Sequence, residues 1–160
     1  METLDLIRRK LAYNDWANRR PLESLRTMKS PSSRAARALA HVLLVERLWL
    51  ARLRREEIKN VPSDFFPELP LTHCKDLIEE SLAGYHQYIR TLTEAQLDVV
   101  GNYETLAGSK YAASSRDVLT HVMNHSMYHR GQVALSIRED GGEPLQSDYI
   151  LFVRESSERV

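Results

Sequence analysis

The 160-residue sequence has a single cysteine, Cys74, which excludes any intramolecular disulfide. It has no excess charge of either sign, since Lys+Arg and Asp+Glu stand at 22 each. A neutral chain lacks the basic field that displaces counterions from phosphates, so nucleic acid is not an expected partner. The local basic run "RLRREEIK" (52–59) meets its own glutamates at once and reads as a solvated helix end. Long hydrophobic runs are missing too. "ALAHVLLV" falls well short of a membrane span, and "METLDLIRRKLAYNDW" lacks the apolar segment of an export signal. A lone thiol without such a signal fits a reducing cytoplasm. Repeats, low-complexity tracts and linkers are absent, so residues 1–160 are expected to form one domain, large enough to bury a core.

What is present is helical periodicity. Leu4, Ile7, Leu11, Leu22 and Leu25 recur at spacings of three, four or their multiples, which predicts an amphipathic helix over 3–28. "SPSS" (30–33) offers N-cap candidates and a proline suited to a first turn, opening a second helix that runs to about 57. "KNVPSDFFPELPLTH" holds three of the six prolines and reads as a loop. A third helix is expected from about 74 to 92. An irregular crossover with a strand-like hairpin follows over 93–114. "SSRDV" supplies a serine cap and Asp117 in the first turn of a fourth helix, stopped near Asp140 by "GG". A short last helix is expected after Ser147. The expected fold is therefore all-α, a four-helix bundle with long crossover connections.

The fourth helix carries "HVMNHSMYHRGQ", which spaces His121, His125 and His129 at intervals of four. Such a stripe is either a metal site or a polar face without function. A helix turns by about 100° per residue. Winding from Val118 places Val122 and Val133 on the core side, with His125 and His129 within or beside that sector and His121 towards its edge. Two imidazoles one turn apart can converge on one ion. A third ligand must come from another helix, and His41, inside "ALAHVLLVERLWL", is the candidate. A zincin needs H-E-x-x-H, but Ser126 stands in the glutamate slot. A di-iron bundle needs E-x-x-H, and no histidine here has a glutamate three residues before it. A facial triad needs a carboxylate beside two histidines; the helix offers none on that face, which leaves an Asp or Glu from a loop as its only source. Three histidines with open positions is the metal reading that fits. His73, His86 and Cys74 read as structural or surface residues.

"NHSMYHRGQV", followed by "GGEPLQSDYILF", resembles the DinB/YfiT-like family of metal-binding four-helix bundles, and most closely its DNA-damage-inducible DinB branch. "YNDWANRR" and "HVLLVERLWLARL" are similar to that family's sequences, in the same order and spacing. The resemblance implies a divalent ion, zinc or nickel, on His41, His125 and His129. It implies homodimers, and thiol-dependent transferases or isomerases in which a low-molecular-weight thiol binds the metal. A small electrophilic molecule would be the substrate. A non-catalytic metal-binding stress-response protein is the alternative. Thiol transfer is expected over hydrolysis because no general base appears beside the ligands. Gln132, Asn14 and His121 are candidate hydrogen-bond partners behind the ligands. Arg130 is expected at the surface or an interface, and Gly131 where another helix or backbone approaches. Tyr13, Asn14, Trp16 and Asn18 are candidates for the cavity mouth, with Trp16 read as core.

Overall fold

Apolar side chains at helical spacing wind most of the chain into helices in the computed structural model, which describes residues 3–31, 33–58 and 63–157. Four are long: α1 (Thr3–Thr27), α2 (Ser33–Arg54), α3 (Leu71–Arg90) and α5 (Ser115–Glu139). Two are short: α4 (Glu94–Leu97) and α6 (Tyr149–Ser156). A two-stranded antiparallel hairpin, β1 (Val100–Glu104) with β2 (Lys110–Ser114), pairs Asn102 with Ala112. α2 lies along both α5 and α3, and α1 along α3 and α5.

Local chemistry sets the ends. Ser114 caps α5 by accepting from the Asp117 backbone N–H at 3.0 Å, and Gly141 terminates it with φ +77°. Pro70 starts α3 at Leu71 rather than 74, since a proline presets the entry to the first turn. α2 stops at Arg54, short of 57, because Arg55 takes the left-handed conformation with φ +56°. The single turn of α4 replaces irregular crossover. Its reciprocal cap, in which the Gln96 side chain accepts from the Thr93 backbone N–H, was legible as T-x-x-Q. The cap candidate Ser32 lies outside the described residues.

The interior is divided. One apolar cluster includes Leu22, Leu25, Leu39, Leu43, Ile78, Val133 and Ile137; a second includes Leu4, Ile7, Leu11, Tyr85, Ile89, Leu119 and Val122. Between them each long helix contributes polar side chains at the same level: Asn14 and Asn18 from α1, Glu46 from α2, Ser81 from α3, Ser126 and Arg130 from α5, all buried. No helix among the described residues is long and apolar enough to cross a membrane.

Candidate metal centre

His41 sits mid-way along α2 with Leu39, Val42 and Leu43 buried around it, and is itself 8% exposed. The loop before α3 fixes its ring. Nδ1 donates to the Phe65 carbonyl at 2.9 Å, and Phe66 stacks on the imidazole with centroids 4.0 Å apart. A proton held on Nδ1 leaves Nε2 with its lone pair free.

His125 and His129, half-buried and one turn apart on α5, face that ring. Centroids are 4.4 Å apart between His125 and His129, 4.4 Å between His41 and His129, and 5.1 Å between His41 and His125. One ring nitrogen from each of the three lies within 4.8 Å of the others, so the group could hold a metal ion. Nitrogens on a tetrahedral ion at the usual bond length sit about 3.3 Å apart, which small side-chain rotations supply. His129 Nδ1 donates to Gln132 Oε1 at 2.7 Å, the arrangement that orients an imidazole for coordination through its other nitrogen. Nδ1 of His125 is buried without a hydrogen-bond partner among the described residues. The donor set fits a borderline-soft divalent ion such as zinc or nickel.

Burial, with the neighbouring His129, His41 and His121, pushes the His125 pKa down from 6.5 to about 4, and burial lowers that of His41. Both rings are thus held neutral, the form that can bind an ion. Well above pH 6.5 His125 is neutral folded and unfolded and contributes no pH dependence. Between pH 6.5 and 4 the unfolded chain takes up a proton that the folded one refuses. The metal-free protein should therefore lose stability over that window, by less than the full shift implies because the ring is only half-buried and solvent screens it. Urea unfolding at several pH values checks this, and the decline should be shallower in His125→Ala. Equal slopes would contradict it.

The other candidates are scattered. His121 is exposed at the edge, with its ring 5.5 Å from His125 and 5.1 Å from Trp49. Asn14 does not reach the histidines; it belongs to the buried polar layer, as does Asn18. Tyr13 and Trp16 pack against Phe152 of α6, so Trp16 is half-buried beneath a short helix and not core. Gly131 has open space where its Cβ would be, so no backbone approaches it.

Arg130 is a larger correction. It is 4% exposed, and Nη1 donates to Oδ1 of both Asn14 and Asn18 at 2.7 Å. The amides of those asparagines donate in turn to Glu46 Oε1 at 2.7 and 2.8 Å. Ser126 Oγ donates to the same oxygen at 2.6 Å, and Ser81 Oγ to Oε2 at 2.7 Å. Glu46, missed by the sequence reading, is thus saturated by four side-chain donors and is poorly placed to act as a general base. The signal was present: Val118, Val122, Ser126, Arg130, Val133 and Ile137 form one stripe at helical spacing, and all are buried. His125 and His129 stand beside that stripe, turned towards α2.

Searching curated proteins gives no match. Among solved structures, a DinB-like protein from Bacillus cereus ATCC 10987 superposes with a TM-score of 0.62 at 13% identity, covering 82% of this chain and 90% of the other. That likeness shows a shared fold. The sequence profile of the DinB family matches residues 8–159, which is nearly the whole chain. The chain belongs to the DinB family.

Proposed function

We propose that His41, His125 and His129 hold a divalent ion, zinc or nickel, and that the protein is a thiol-dependent transferase acting on a small electrophile. The observation that carries this reading is the convergence of three imidazoles, two of them oriented through Nδ1 by Phe65 and Gln132. When bound, the ion supplies a Lewis-acidic position at which a low-molecular-weight thiol loses its proton. The chain's own residues orient the ligand rings, with Phe66 stacked on the His41 imidazole. Thiol transfer is favoured over hydrolysis because the nearby buried carboxylate, Glu46, already has its oxygens occupied.

Cobalt-loaded protein titrated with low-molecular-weight thiols tests the reading. It predicts a thiolate-to-metal absorption band, together with consumption of an electrophile such as an epoxide only when thiol is present. Metal uptake with no thiol response from any thiol tried would sink the transferase reading and favour a structural ion in a stress-response protein. Gln132→Ala should weaken zinc binding by about tenfold, the lower end of what removing such a hydrogen-bond partner costs. Competition with a chelator of known affinity measures this, and an unchanged affinity would show that Gln132 does not orient His129.

A further inference from the structure

A cavity of about 240 Å3 lies where the ends of α2 and α3 meet the hairpin, with Trp49, Arg52, Arg55, Tyr103 and Ser115 among its lining. Its Trp49 wall touches His121, and His121 touches His125, so it adjoins the histidine cluster through two ring contacts. Among the described residues two arginines line it and no carboxylate does. The Arg52 guanidinium lies over the Trp49 ring at 4.5 Å and the Tyr103 ring at 5.2 Å. Its Nη2 donates to the Glu104 carbonyl at 2.9 Å, while its buried Nε has no partner among the described residues.

This is an unusual state for a cation. Stacking on aromatic faces compensates part of the lost hydration, but a buried guanidinium N–H left unpaired is costly, and no ion pair is formed by Arg52 among the described residues. With Nη2 held by Glu104 and Nε buried, the charge and the Nη1 donors of Arg52 are what a carboxylate would meet, and the aromatic faces of Trp49 and Tyr103 suit a planar or apolar group beside it. We propose that this cavity binds the carboxylate end of the small molecule that reacts at the three histidines. Reaction of that molecule at the histidines rests on the proposed function, whereas carboxylate binding by the cavity does not.

The test uses Trp16→Phe protein, in which Trp49 is the sole indole. Metal-free protein is titrated with 3-phenylpropionate and with its neutral isostere 3-phenylpropanamide, following Trp49 fluorescence. The acid should bind roughly tenfold or more tightly than the amide, as one charge-assisted contact allows. Arg52→Gln should remove the difference, and Arg52→Lys, which keeps the charge without the fork, should retain part of it. Arg55→Gln should narrow it even if Arg52→Gln fails to fold. Equal affinity of acid and amide, no saturable change at millimolar ligand, or full selectivity in both Arg52→Lys and Arg55→Gln would overturn the proposal. Zinc should tighten 6-mercaptohexanoate and leave hexanoate unchanged, and an equal effect on both would overturn the shared ligand. Zinc uptake is measured on the same samples. Uptake lost with acid selectivity retained would count against the metal centre alone; selectivity lost with uptake retained would count against this cavity alone.

Discussion

Glu46→Ala should destabilise the protein by about 3–5 kcal/mol, the cost of removing one charged member of a buried polar network. The variant leaves Arg130 without a compensating negative charge and strips an acceptor from Asn14, Asn18, Ser81 and Ser126, all buried. Arg130 Nη2 already lacks a partner among the described residues, so the layer has no spare acceptor to absorb the loss. A domain of ordinary stability, about 5–15 kcal/mol, would be brought close to unfolding. Pairing Glu46→Leu with Arg130→Met should recover part of the deficit, since a matched apolar pair removes both charges together. Equilibrium urea unfolding measures both. A Glu46→Ala protein within about 1 kcal/mol of wild type would show that the polar layer contributes little.

The second large effect is on thermal stability with metal. At about a hundred times its dissociation constant, a ligand that binds only the folded state adds about 2.7 kcal/mol. For a domain of this length that raises Tm by about 5–10 °C. Zinc should do this for wild type and not for His125→Ala. In the metal-free state the same substitution should cost little, because it removes a half-buried ring whose Nδ1 has no partner among the described residues and which packs against two other imidazoles. A variant that is near wild type without zinc and far below it with zinc separates a ligand from a packing residue. An equal rise in Tm for both proteins would place the stabilising ion elsewhere.

Much of this architecture was legible because the long helices carry strong apolar periodicity, and because histidine in an apolar run, as at His41, is a conspicuous departure from it. H-x-x-x-H on one helix fixes two rings on one side, and the proximity of His41 then follows from α2 lying along α5. The polar layer was hidden for a physical reason. A helix flanked on two sides buries more than one face, and α5 meets both α2 and α1. Placing Arg130 away from the histidines was sound; taking the opposite side for solvent was the error, because α1 covers it with Asn14 and Asn18. The role of Phe65 and Phe66 was equally invisible. A loop residue's contact with a helix 24 residues earlier depends on the tertiary path and leaves no periodic trace.

Elemental analysis of untagged protein by plasma mass spectrometry tests the central claim most directly. It is applied to wild type and to His41→Ala, His125→Ala, His129→Ala and His121→Ala. The three-histidine centre predicts close to one zinc or nickel per chain in wild type and in His121→Ala, and almost none in the other three. Metal-free wild type that takes up neither ion on titration, or His41→Ala protein that keeps its metal in full, would contradict it.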